Sequence, residues 1–138
     1  MDDALSRLPH GAAFRFVDAL DDLVPGRRAV GRYRLRGDEA FLDGHFPGRP
    51  MLPGVILLEM IAQLAGVCAQ SDPAHAPMDD LRLAGVGRAR IEGTAGPGSD
   101  LVVRAEIVGR MGALVQASGE VCCGDRRLAR AEITLAGL

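Results

Sequence analysis

The sequence predicts an α+β fold in which one long helix packs against a curved antiparallel β-sheet. Three observations carry that expectation. The run from Val55 to Gln70 is apolar at nearly every position, as a helix buried on most sides must be. Several other segments alternate apolar and polar residues with the two-residue period of a strand. Turn dipeptides, Pro25-Gly26, Pro97-Gly98 and Gly124-Asp125, separate these segments at short intervals. Strands on both sides of a single greasy helix imply a sheet wrapped around it.

The strand segments are specific. Around 29–36, Gly31, Tyr33 and Leu35 alternate with Arg32, Arg34 and Arg36, giving one dry and one wet face. Segments 101–108 and 113–123 are rich in Val, Ile, Ala and Leu. In 127–136, Ala129, Ala131, Ile133 and Leu135 fall on one face, with Arg130, Glu132 and Thr134 on the other. Short turns join these last three segments, and Gly124-Asp125 has tight-hairpin chemistry, so an antiparallel meander is expected. Two stretches resist regular structure. From Gly44 to Gly54 the chain holds Gly44, Pro47, Gly48, Pro50, Pro53 and Gly54, which make a stiff loop. Ser71 to Asp80 holds Pro73, His75 and Pro77 and reads as a second loop.

Composition narrows the function classes. At 138 residues the chain fits one domain, 1–138, with enough length for a real core. A formal net charge of −2 argues against a nucleic-acid binder, which carries a basic excess. All the basic residues are Arg, to which we attach no function. Cys68, Cys122 and Cys123 have neither disulfide nor metal-ligand spacing and are expected to be buried small apolar residues. Glu59 and Gln63 interrupt the longest apolar stretch, and a bilayer span needs about 20 unbroken apolar residues. Met1 to His10 carries two Asp and no apolar run, so no targeting segment is expected and the location expected is the cytoplasm.

The helix carries the chemistry. On a helical wheel Gln63 lies about 40° from Glu59, and Gly66 and Gln70 lie about 20° either side of it. A narrow polar stripe therefore runs down an otherwise apolar rod. A carboxylate in such a setting is costly unless it is paired or protonated. Burial favours the neutral form, which suits a general acid. Gln63, one turn on, is placed to donate an amide hydrogen to that carboxyl group. A structural Glu paired with an Arg of the sheet fits the stripe equally well.

The preceding loop favours function. Gly54 stands at the helix start, where unpaired N–H groups and the helix dipole attract negative charge. Small residues there let a ligand approach. A thioester carbonyl at that point would be polarised toward an enolate. His45, nine residues upstream in the stiff loop, is suited to taking the α-proton.

The same residues carry a resemblance. Gly44-His45-Phe46-Pro47-Gly48-Arg49-Pro50, Leu52-Pro53-Gly54-Val55, Glu59 and Gln63 resemble the signature of the FabZ-type 3-hydroxyacyl acyl-carrier-protein dehydratases. Leu8-Pro9-His10, with Phe14, Val17 and Asp18, is similar to that family's N-terminal motif, and the likeness spans about residues 8–135. Glu rather than Asp at position 59 favours the FabZ side over the FabA side. The resemblance implies a hot-dog fold and dehydration of (3R)-hydroxyacyl thioesters to trans-2-enoyl thioesters. It assigns His45 and Glu59 as catalytic residues, and Gly54, Val55, Gln63 and Phe46 as substrate-binding.

No metal or cofactor is implied, the substrate riding on the phosphopantetheine arm of an acyl carrier protein. Also implied is a homodimer, or a trimer of dimers, in which His45 of one subunit meets Glu59 of the other. Candidate carrier-docking residues are Arg27, Arg28, Arg88, Arg90, Arg126 and Arg127, for which simple surface solvation is the competing reading.

The chain departs from the family pattern at Gly11-Ala12-Ala13, at Arg15 and across Ile91 to Ser99. These departures suit a dedicated polyketide or polyene lipid pathway as well as fatty acid synthesis. Two other functions share the fold: an acyl thioesterase, and a non-catalytic, acyl-binding dehydratase-like subunit.

Overall fold

The computed structural model describes residues 2–44 and 48–137. Six antiparallel strands, β1 (Ala19–Val24), β2 (Arg28–Arg34), β3 (Arg82–Ile91), β4 (Asp100–Met111), β5 (Leu114–Cys123) and β6 (Arg126–Ala136), form one sheet in the order β1-β2-β4-β5-β6-β3. Helix α1 (Gly54–Gln70) lies against its inner face, as expected for the hot-dog fold. Short 3-10 turns occupy Asp2–Arg7, Ala12–Phe14 and Ala40–Leu42.

The alternation read from the sequence is the alternation observed. Gly31, Tyr33 and Leu35 are buried while Arg32, Arg34 and Arg36 are exposed. In β6, Ala129, Ala131, Ile133 and Leu135 face the core. Strands β4, β5 and β6 form the expected meander. Gly124, with φ of 62°, and Asp125 make the two-residue loop between β5 and β6. Leu128 is an extra residue at the bulge between Val121 and Cys122, and it too is fully buried.

Leu57, Met60, Ile61 and Leu64 of α1 are wholly buried against the sheet. Each such side chain contributes about 1.5–3 kcal/mol by leaving water. The close approach needs a missing side chain on β5. A Cβ at Gly119 would lie 2.5 Å from the Arg104 carbonyl oxygen and 2.6 Å from Ile61 Cγ2.

Beside the sheet, Phe16 packs edge-on to Phe14, Tyr33 and Phe41. The Tyr33 hydroxyl donates to Glu39 Oε2 at 2.7 Å. Burial and this carboxylate push the Tyr33 hydroxyl well above its ordinary range. Burial would raise Glu39 as well, but N–H groups of Arg36 and Gly37 and the Tyr33 hydroxyl hold it below the usual carboxylate value.

Cys68 is buried, as expected, with its thiol pushed up to about 11 by burial. Cys122 and Cys123, expected to be buried, are only half-buried, at the end of β5 beside the hairpin loop.

Strand β3 is the sheet's edge beside β6. It bulges between Gly87 and Arg90, and Arg88 sits there at φ 45°, a left-handed backbone conformation uncommon outside glycine. The half-exposed Val86 and Ile91 lie on this edge strand.

Candidate active site

Proline and glycine start α1 abruptly. Pro53 is the N-cap in extended conformation and Gly54 begins the helix. The Ile56 N–H turns back to the Pro53 carbonyl at 3.0 Å. The N–H groups of Gly54 and Val55 have no backbone acceptor among the described residues, as first-turn donors do. The incoming chain is pinned by Leu52, whose N–H donates to the Ala95 carbonyl and whose carbonyl accepts the Thr94 hydroxyl. The segment that departs from the family pattern therefore still fixes where the helix begins.

The helix emerges at the surface here. Val55 is 69% exposed and Glu59 is half-buried. A Cβ at Gly54 would lie 2.8 Å from Ile91 Cδ1. The space expected to admit a ligand is thus bordered by a mobile side-chain end rather than by backbone.

The polar stripe is real, and each glutamine clamps a loop. Gln63, 2% exposed, uses both amide hydrogens, one on Glu59 Oε2 at 3.0 Å and one on the Phe14 carbonyl at 2.9 Å. Its Oε1 accepts the Phe16 N–H at 2.8 Å. Gln70 exchanges two hydrogen bonds with the Met78 backbone and ties down the loop after the helix.

Glu59 has a further neighbour that the sequence did not announce. His10 Nε2 stands 3.4 Å from Glu59 Oε2. Among the described residues no Arg of the sheet is within ion-pair distance of Glu59, so the expected structural alternative lacks its partner. His10 belongs to the Leu8-Pro9-His10 motif, 49 positions away, and no local periodicity links it to the helix. Only its place in that motif marked it.

Catalytic candidate His45, with Phe46 and Pro47, lies outside the described residues. The cavity beside Glu59, lined by His10, Gln63, Gln70 and Leu83 among others, is about 20 Å³, room for about one water. A larger depression of about 470 Å³ lies by Ala12, Ala13 and Arg15, whose Nε is buried with no hydrogen-bond partner among the described residues.

The candidate docking arginines divide. Arg28, Arg88 and Arg127 join Arg104 and Arg130 around a groove of about 590 Å³ on the outer sheet face. Glu106, Glu120 and Glu132 line the same groove, and Arg127 also pairs with Glu92 at 3.2 Å. Arg126 reaches the Thr94 carbonyl, while Arg27 and Arg90 lie outside the groove. Among the described residues no group of three or more His, Cys, Asp or Glu is placed to hold a metal ion. None of the described helices is long and apolar enough to cross a membrane.

Known proteins are similar to this chain in sequence and in fold. The FabA-like domain matches residues 8–132. The chain is 34% identical over 131 residues to the 3-hydroxyacyl-[acyl-carrier-protein] dehydratase FabZ of Syntrophotalea carbinolica, covering 95% of this chain and 89% of that protein. It is 36% identical to the FabZ of Caldanaerobacter subterraneus, covering 91% and 89% respectively. Among solved structures it is similar to the dehydratase heterocomplex ApeI:P from Xenorhabdus doucetiae, with a TM-score of 0.82 and 20% identity over 97% of this chain and 90% of that one. It is also similar to zebra fish thioesterase superfamily member 2, with a TM-score of 0.63 and 12% identity over 86% and 80%. Those two likenesses speak to the fold, which hosts more than one chemistry. The near full-length match in sequence goes further: the chain belongs to the FabA-like family, among the FabZ-type dehydratases.

Proposed function

We propose that this chain is a hydro-lyase that dehydrates (3R)-hydroxyacyl thioesters on acyl carrier protein to trans-2-enoyl thioesters. The observation that carries the reading is Glu59. It is half-buried, held through Oε2 by a buried Gln63, and placed just over one turn from a helix start with free N–H donors. A thioesterase would need an activated water; here a carboxyl group is fixed beside a site suited to an enolate oxygen.

The steps balance as follows. His45 takes the α-proton, and the electrons move toward the thioester carbonyl, whose oxygen is held by the N–H groups of Gly54 and Val55. The enolate returns its electrons to form the α–β double bond. The C–O bond to the β-hydroxyl breaks, and Glu59 supplies the proton that lets it leave as water. His45 then holds one extra proton and Glu59 lacks one, and exchange with solvent resets both. Gln63 keeps Glu59 in register throughout, and Phe46 is the remaining substrate-binding residue of this reading. No metal or cofactor takes part.

The catalytic unit is a homodimer, with a trimer of dimers as the larger assembly. One feature supports this. The edge strand β3 exposes Val86 and Ile91, Ile91 lying beside the helix start where Val55 is exposed, which suits a second copy. In this reading Glu59 meets His45 of the partner subunit. The enzyme works in the cytoplasm, in fatty acid synthesis or a related polyketide or polyene lipid pathway.

Product analysis tests the reading. Given a 3-hydroxyacyl thioester, the purified protein is expected to form the enoyl thioester, detected by its conjugated absorbance and mass. Release of free thiol without enoyl product would instead make it a thioesterase. No turnover with either product would leave the non-catalytic, acyl-binding subunit.

A further inference from the structure

Three groups close a ring around one oxygen of Glu59. Gln63 Nε2 donates to Oε2 at 3.0 Å, and His10 Nε2 faces the same oxygen at 3.4 Å. The His10 ring stacks on Phe14, with centroids 5.9 Å apart and planes inclined by 28°. The Phe14 carbonyl accepts the other amide hydrogen of Gln63. His10 thus approaches from the N-terminal segment and Gln63 from the helix, and the Phe14 link fixes them to each other.

The tautomer follows from burial. His10 Nδ1 is buried and has no hydrogen-bond partner among the described residues. A buried N–H without an acceptor costs about 1–3 kcal/mol, so the proton belongs on Nε2, the ring nitrogen 3.4 Å from Glu59 Oε2. His10 lines the cavity beside Glu59, which Gly54 and Val55 of the helix start do not border. The space it lines with Glu59 and Gln63 holds about 20 Å³, which excludes an acyl chain.

We propose that His10 is a positioning residue: with Gln63 it fixes Glu59 through Oε2, so that the carboxyl group meets the substrate through Oε1. A distance of 3.4 Å is longer than a well-formed N–H to O bond, and such contacts commonly shorten when substrate closes the site. His10 does not touch the reacting atoms. The proposal deepens the reading of Glu59 as the acid and rests on it.

Two substitutions of the full-length protein separate positioning from packing. His10→Phe keeps the stacked ring and removes the donor; His10→Gln keeps an N–H donor and removes the ring. The expected result is a kcat about ten- to a hundredfold lower in His10→Phe, with KM within about twofold of wild type. In His10→Gln, kcat should stay within about threefold of wild type, because the donor is restored.

A packing role predicts the opposite ranking. Wild-type kcat in His10→Phe, or equal loss in both variants, would overturn the proposal. Should His10→Phe fail to fold, His10→Ala takes its place, and the same comparison with His10→Gln decides. Glu59→Gln is measured alongside. If it alone keeps wild-type activity, the assignment of Glu59 falls. If it is inactive while His10→Phe is unimpaired, only the role of His10 falls.

Discussion

At Gln63 three hydrogen bonds meet in a side chain that is 2% exposed, on Glu59, the Phe14 carbonyl and the Phe16 N–H. Replacing it by Leu would strand two backbone groups as well as one carboxyl oxygen. Each buried group left unpaired costs about 1–3 kcal/mol, so Gln63→Leu should lower the urea midpoint as well as kcat. An unchanged midpoint would mean that water takes over the clamp. The helical wheel made Glu59 and Gln63 legible from sequence, since both lie on one stripe of one element. His10 was not legible in the same way, because its meeting with Glu59 depends on how a distant segment folds back over the helix.

A second residue-scale expectation concerns alkaline stability. Burial pushes the Cys68 thiol from 9.0 to about 11, and burial with Glu39 raises the Tyr33 hydroxyl further. As pH rises past the ordinary thiol value, the unfolded chain gives up these protons first, and the folded chain still holds them. The unfolded state then binds fewer protons, so stability falls as pH rises through the folded-state value. The urea midpoint is expected to drop between about pH 9 and about pH 11, and a Cys68→Ala variant should lose part of that drop. A midpoint that stays flat over the window would contradict it.

At the level of elements, the helix and the meander followed from pattern because each buries one defined face. Strands β1 and β3 did not. Ala19–Val24 places Asp21 and Asp22 together at a bulge, and Arg82–Ile91 is glycine-rich and largely exposed, so neither shows a clean two-residue alternation. Both lie at the ends of the sheet, where only one neighbour constrains a strand. Their pairing is a property of the assembled sheet.

The helix–sheet seam offers a sharper test at this scale. A methyl group at Gly119 would press on the Arg104 carbonyl oxygen and on Ile61, and backbone cannot yield cheaply. Gly119→Ala should therefore destabilise the fold by about 1–3 kcal/mol, read as a lower Tm, although it touches no site residue. An unchanged Tm would mean that α1 can move off β5 freely.

For the whole molecule, the shape of the site matters more than any single residue. In the proposed reading, one chain supplies the acid, its clamp and the polarising helix start, and the general base comes from a second copy. The sequence resemblance implies that second copy, bringing His45 to Glu59; periodicity and spacing within one chain had no means of showing it. The exposed edge strand β3 and the exposed Val55 at the helix start give that copy a surface to meet. An enzyme built this way has two sites per dimer, each drawing one residue from either subunit.

That arrangement has a direct test in mixing two inactive variants. His45→Ala and Glu59→Gln are each expected to lose about a hundred- to ten-thousandfold in the dehydration of a 3-hydroxyacyl thioester. Unfolded together in equal amounts and refolded, they should regain about a quarter of wild-type activity, because half of the dimers are mixed and each mixed dimer holds one intact site. No recovery, with mixed dimers shown to have formed, would place His45 and Glu59 of the same chain in one site; full activity in either variant alone would remove that residue from the chemistry.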